Sequence, residues 1–333
     1  MLELGDKRGA RTNLVTNTRS MLDTQLKLDS LEVLAEVTRR FIDVLSLQVR
    51  MELNDEALRL AEEALKTVQK RVSAGAVSAA EAKRAHSALA MARLVQSAGE
   101  QQFEASKVSL AILWGEAAPS FDRVKGDLFQ FGTDISLDEL YGALENNPAV
   151  VIYADEERVA DAELRLARSQ SKADLGWSFG VRHIRETDDN ALVAGLSVPL
   201  FSGRRNTGEV SRLVAQKNSI AVEREADILN FRALLHSAYS ARQQAIVSVE
   251  QLQTSVIPSL EDALRQTRQG YQRGRYSYLE YISVARELLE SKRMLIETAA
   301  AVLAYGAEIE QLSASSISAS PFTPNRKIQG EEQ

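Results

Sequence analysis

This sequence of 333 residues contains no cysteine, only six prolines, and no apolar run long enough to cross a bilayer as a helix. The first absence excludes disulfides, thiolate metal sites and a cysteine nucleophile. The second suits a chain of long uninterrupted helices, because an interior proline removes a backbone hydrogen bond. The third excludes a transmembrane helix. No basic field is present either: net charge is −6, and no block of Lys and Arg resembles a nucleic-acid-binding arm. The three histidines, His86, His183 and His236, are too scattered for a zinc site. No glycine-rich phosphate loop, Ser-His-Asp set or pair of tuned acids is present, so the sequence predicts no enzyme, no cofactor and no bound metal. The opening MLELGDKRGAR lacks the apolar core of a signal peptide, which taken literally makes the chain cytosolic.

What remains is mostly helix. From about Thr12 to Val72 the chain has no Gly or Pro. Its apolar residues Leu34, Val37, Phe41, Val44, Met51, Leu58 and Leu65 follow the 3-and-4 spacing of a coiled-coil seam, with Gln48 and Asp55 as polar intruders. About 60 helical residues would span roughly 90 Å. SAGAVS breaks the run at residues 73–78, and a second helix continues from Ala79 to about Trp114, giving an antiparallel hairpin. A loop (115–136), a small helix (137–145) and a helix opened by Pro148 and ending near Ser171 follow. The second long seam is Ile228, Phe231, Leu235, Ala238, Ala245, Val249, Leu252 and Val256, with Arg242 intruding and Pro258 expected to kink the helix. A last helix runs from Tyr278 to about Leu312, and the polar tail is expected to be disordered. Phe41, Phe231 and Met51 are core residues on this pattern.

One β region interrupts the helices between Lys172 and Phe201. Leu175, Trp177, Phe179 and Val181 alternate with small or polar residues, and after RETDDN so do Leu192, Ala194, Leu196, Val198 and Leu200. This is a hairpin with one apolar face.

The chain also repeats itself. EEALKTVQKRVSAGAVSAAEA (62–82) matches EDALRQTRQGYQRGRYSYLEY (261–281) at an offset of 199, pairing Leu65 with Leu264, Gly75 with Gly274, Ser78 with Ser277 and Glu81 with Glu280. LELGDKRG matches LFSGRRNT at an offset of 198, pairing Gly5 with Gly203. The unit is strand exit, long helix, tight tip and returning helix, present twice. By that symmetry the first copy is expected to lack its entering helix and most of its strands, as a truncated front.

The strand ending SVPLFSGRRNTGEV, its echo LELGDKRGAR, the helix start NNPAV and the two tips together resemble the TolC family of trimeric outer-membrane efflux channels, over essentially Leu2 to Leu312. LELGDKRGAR is most similar to the branch serving cobalt-zinc-cadmium resistance. The resemblance implies a mainly α chain with a small β part. Long antiparallel coiled-coil hairpins would form a tunnel, and β-hairpins would contribute to a 12-stranded barrel shared by three protomers. The domains are then 1–9, the end of a truncated first strand hairpin; 10–115, a helical hairpin; 116–147, an equatorial loop and short helix; 148–172, the entering helix; 173–203, the barrel hairpin; 204–313, the second helical hairpin; and 314–333, the tail. The apolar strand residues would face lipid, with Trp177 in an interfacial girdle. Gly5, Lys7, Arg8, Gly203, Arg204 and Arg205 would mark the junction of barrel and helices, their charges solvated. Arg71, Gly75, Ser78, Tyr271, Arg273, Gly274, Ser277, Tyr278 and Leu279 would form tips that dock a periplasmic adaptor protein. The implied partners are two further copies, the adaptor, an inner-membrane pump of the resistance-nodulation-division type and outer-membrane lipid, with no nucleic acid. The implied location is the outer membrane of a Gram-negative bacterium, the signal peptide having gone with the missing front. The implied function is a passive duct exporting heavy-metal cations or small toxic compounds. A protein-secretion channel of the same family and a soluble coiled-coil scaffold or non-functional channel fragment remain as alternatives.

Overall fold

The computed structural model describes residues 3–132, 135–184, 189–197 and 206–315. The elements, in chain order, are α1 (Lys7–Ser73), α2 (Ala79–Ala111), α3 (Leu137–Leu144), α4 (Pro148–Gln170), β1 (Gly176–Ile184), β2 (Asp189–Ser197), α5 (Thr207–Gln251), α6 (Ile257–Gln272) and α7 (Tyr278–Ser313). A 3₁₀ turn, Ile112–Trp114, extends α2, and a π turn, Leu252–Val256, joins α5 to α6. The chain divides into two compact units, one of Met1–Leu31 with Tyr141–Ala233 and one of Glu32–Leu140 with Leu234–Gln333.

In the first unit α4 starts as the sequence predicts. Asn147 caps it by accepting from the Ala149 N–H at 2.8 Å, and Pro148 occupies the first turn, where no intrahelical donor is lost. Leu164 and Ala167 of α4 pack on Leu213 of α5. Polar ties supplement this small apolar contact. The buried Asp155 carboxylate accepts from Thr24 Oγ1 at 2.7 Å and Ser20 Oγ at 3.2 Å, and pairs with Arg158. Lys217 bridges Asp161 (2.9 Å) and Glu157 (3.3 Å), and the Tyr153 hydroxyl donates to Asp227.

Burial works against the ionised form of Asp155, but the hydrogen bonds from Thr24, Arg158 and Ser20 outweigh it and hold the carboxyl below its usual range. A depressed folded pKa contributes stability above the unfolded value of about 3.9 and loses it as pH falls through the folded value. Asp155→Asn should therefore destabilise the first unit by about 1–3 kcal/mol at pH 7, and the deficit should shrink in acid. Amide exchange in α4 at pH 7 and below pH 4 reads both; a deficit that grows in acid contradicts the account.

The second unit has the larger core. Leu45 and Leu53 of α1, Leu128 of the long loop, Ala245 and Val249 of α5 and Ile296, Ala299 and Val302 of α7 form one cluster. The α5 seam holds from Leu235 to Leu252, all of it buried. The α1 seam does not. Leu34 is 61% exposed, whereas Ala35, Ile42, Val44, Leu45, Leu47 and Leu53 are buried, because this stretch packs on more than one side. Phe41 is half-buried against that core and against a second cluster of Val44, Leu47, Phe103 and Leu110, where Met51 also packs; Phe231, in the first unit, is half-buried. Each polar intruder has a task. The Gln48 amide accepts from the Val124 N–H at 3.1 Å and donates to the Val124 carbonyl at 3.3 Å, fixing the loop to α1. Asp55 accepts from Gln96 at 2.9 Å, and buried Arg242 donates to the Phe131 carbonyl at 2.7 Å. The irregularity expected at Pro258 falls one turn earlier, as the π turn. Proline has no N–H to offer the preceding turn, and a widened turn absorbs the mismatch.

Candidate functional site

The two repeat tips are built alike and then joined. After α1, Gly75 has φ +69°; its N–H donates to the Val72 carbonyl (2.9 Å) and that of Ala76 to Arg71 (2.9 Å). After α6, Gly274 has φ +76°, with Gly274 to Tyr271 at 3.0 Å and Arg275 to Gly270 at 2.8 Å. Both are Schellman closures, which require a residue at positive φ, and glycine meets that without strain. The helix starts that follow differ. Ser277 and Glu280 form a reciprocal capping box at the head of α7, with Ser277 N–H to Glu280 Oε2 at 2.7 Å and Glu280 N–H to Ser277 Oγ at 3.2 Å. Ser78, their repeat counterpart, makes no side-chain cap. Its Glu81 instead accepts from the Tyr271 hydroxyl at 3.3 Å.

Tyr271 is the centre of the tip. It is buried, stacked on Tyr281 with centroids 5.9 Å apart and 12° between planes, and tilted against Tyr278 at 6.0 Å. The Arg71 guanidinium lies 4.4 Å from its ring centroid and donates to its backbone carbonyl. Burial and the nearby Glu81 push the Tyr271 phenol up to about 12. At Gly270, beside it, a Cβ would lie 2.0 Å from the Tyr276 ring, so a side chain there requires that exposed ring to move. Further along the helices, Lys292 bridges Glu56 (2.9 Å) and Glu261 (3.2 Å). The structure thus brings together Arg71, Tyr271 and Tyr278 of the predicted tip set. Gly75, Ser78, Gly274 and Ser277 shape the turns, and Arg273 and Leu279 are exposed. Glu81 was missed as a contact; the signal was the break in the repeat, where Arg71 and Val72 stand opposite Gly270 and Tyr271.

In the first unit, β1 and β2 pair antiparallel with Trp177 opposite Leu196, Phe179 opposite Ala194 and Val181 opposite Leu192. This is the expected apolar face, and it is bare: Phe179 is 75% exposed, Leu192 89% and Leu196 75%. Trp177 and Phe179 meet edge to face at 5.7 Å. Leu175 lies just before β1 and is half-buried. Val198, Leu200, Gly203, Arg204 and Arg205 lie outside the described residues. At the junction, Gly5 has φ +86° and Arg8 is exposed. Lys7 departs from the expected solvated charge: it is 8% exposed and pairs with Asp174 at 2.7 Å. Bonding from Lys7 and the Leu4 N–H holds the Asp174 carboxyl below its usual range. Among the described residues no group of acids and histidines could hold a metal ion, and no helix is long and apolar enough to cross a membrane.

Comparison with known proteins places this geometry. The profile of the family described as outer membrane efflux protein matches residues 1–116 and 140–314. The chain is 27% identical over 291 residues to the cobalt-zinc-cadmium resistance protein CzcC of Cupriavidus metallidurans, covering 87% of this chain and 70% of that one. It is 23% identical over 206 residues to the nickel-cobalt-cadmium resistance protein NccC of Alcaligenes xylosoxydans xylosoxydans, covering 61% of this chain and 46% of that one. The crystal structure of the outer membrane protein VceC from Vibrio cholerae superposes with a TM-score of 0.77 at 16% identity, over 95% of this chain and 77% of that one, a likeness of fold.

Proposed function

Because the chain belongs to the outer membrane efflux protein family, we propose that it is the outer-membrane duct of a tripartite export system, passive in itself and energised by a partner. The observation that carries this reading is the bare apolar face of the β1–β2 hairpin, attached to long helical hairpins with reinforced tips. In water such a face would be an aggregation edge; in a closed barrel it faces lipid. Three copies would share one barrel, the helices would continue it through the periplasm, and the tips would meet an adaptor that couples them to an inner-membrane pump. The Arg71–Tyr271–Glu81 cluster would hold the tip shut until the adaptor shifts the balance between two arrangements. Heavy-metal cations are the favoured cargo, since the relatives named above are cobalt-zinc-cadmium and nickel-cobalt-cadmium resistance proteins.

Planar-bilayer recording on protein extracted from outer membranes tests the reading. Stepwise conductance is expected, with openings more frequent when Arg71 is replaced by Ala. Bilayers that stay silent at protein levels giving trimers on native gels contradict it.

A further inference from the structure

The first turns of α1 and the last turn of α4 line a cavity of about 420 Å³ within the first unit. On its other side the same end of α4 is closed: Leu164 and Ala167 pack on Leu213, and Asn206 donates to the Ala167 carbonyl at 3.0 Å. Toward α1, two glycines keep the space. A Cβ at Gly5 would lie 2.5 Å from Lys172 Cδ, and one at Gly9 would lie 2.4 Å from the Asp6 carboxylate. Arg165, Arg168 and Lys172 line the cavity, three and four residues apart along one face of the helix and its exit. None of the three has an ion pair among the described residues, and Arg165 donates to the Asp161 carbonyl of its own helix. Their basic neighbours are already taken, Lys7 by Asp174 and Arg11 by Glu3, both at 2.7 Å. Asp6 is the one acid among the lining residues, so three cations stand against one carboxylate in a chain whose net charge is −6. α1 offers the space the positive end of its dipole and α4 the negative end, so the side chains decide the sign.

We propose that this cavity binds a phosphate group, carried by a lipid headgroup or free in solution, through Arg165, Arg168 and Lys172. Two guanidinium forks and an ammonium around one volume suit an oxyanion whose oxygens point apart, whereas a carboxylate offers its oxygens in one plane. The charge left over after Asp6 balances a phosphomonoester and exceeds that of a phosphodiester. Asn13 adds a neutral donor: its Oδ1 accepts from Asn17 at 3.1 Å, which leaves its amide N–H groups to donate. Position favours the lipid. Lys172 stands four residues before Gly176, where β1 starts, a span of at most about 14 Å. With the hairpin in the bilayer, the cavity sits at the headgroup layer below it. The lipid as source therefore rests on the reading above, while the phosphate site rests on the cavity alone.

The test uses the full chain in non-ionic detergent, with inorganic phosphate and dihexanoylphosphatidylglycerol as probes and calorimetry as the readout. Both should bind at one site, each displacing the other. The Arg168→Gln, Lys172→Gln double variant should bind each probe about tenfold more weakly or worse, the size expected for lost hydrogen bonds to a charged group. Its thermal midpoint should not move, because both side chains are exposed. Ala10→Phe keeps the charge and fills the cavity, and it should weaken both probes as well, which a diffuse attraction to surface charge would not do. Binding of neither probe, or either variant binding as the parent does, would overturn the proposal. So would binding by the monomer that disappears in the trimer, since a neighbouring copy would then fill the site. Phosphatidylglycerol bound more tightly than phosphate, and retained by protein extracted from outer membranes, assigns the site to lipid; phosphate bound alone assigns it to the free ion. Conductance and trimer formation are recorded on the same samples. Conducting trimers that bind neither probe reject only the site; chains that bind phosphate but form no trimer and no channel reject the duct and keep the site.

Discussion

Replacing Leu196 by Arg should remove most of the membrane-inserted assembly, a loss of about 2–4 kcal/mol per chain if the site is near the bilayer midplane. Leu196 sits across from Trp177 on the bare face of the hairpin and is 75% exposed in the isolated chain. In lipid that exposure is its stable state, and a guanidinium there loses its hydration with no partner in reach. The opposite face provides the control. Gly180 pairs with Val193, a Cβ built on it meets nothing within 4 Å, and Arg182 already lies two residues on along the same face. Gly180→Lys should therefore be tolerated, because charge on a lumen-facing position keeps its water. Urea titration of each variant in lipid vesicles gives the numbers. In a soluble scaffold both changes would be surface substitutions worth about 0.5 kcal/mol or less.

Tyr271→Ala should loosen the tip by about 3–5 kcal/mol, the range for deleting a fully buried aromatic ring. The ring stacks on Tyr281, carries Arg71 over its face and sends its hydroxyl to Glu81, so one substitution removes two contacts between the two repeat tips and one within the second. Tyr271→Phe keeps the stack and should cost about 1.5–3 kcal/mol, the worth of one hydrogen bond to a charged group. Amide exchange over residues 66–86 and 265–286 should rise strongly in the first variant and less in the second. If the cluster closes the duct, channel openings should rise in the same order. Equal effects of Ala and Phe would mean that the hydroxyl, not the ring, holds the tip.

Much of the fold is legible in the sequence because its punctuation is local. Gly75 and Gly274 close the long helices, Pro148 opens α4, and strict alternation marks the strands. The seam of α5 reads correctly from Leu235 to Leu252 for the same reason, being one stripe on one face, whereas Val256, in the π turn beyond it, is 39% exposed. Reading fails where packing has more than one direction. The stretch of α1 after Glu32 packs on more than one side, so a single heptad puts Leu34 inside when it is outside, and Gln48 and Arg242 read as flaws when they hold loop carbonyls. Lys7 reads as a solvated charge because its partner, Asp174, lies far along the chain. The tip was half legible. Its turns follow from glycine, but Tyr271 finds Glu81 and Arg71 across sequence separations of 190 and 200, which no local period encodes.

The central claim is that this chain assembles into an outer-membrane duct. The most direct measurement is the native mass of the protein in separated inner-membrane, outer-membrane and soluble fractions of the cells that make it. The account predicts a trimer confined to the outer-membrane fraction and released only by detergent. A monomer or an open-ended oligomer in the soluble fraction would contradict it.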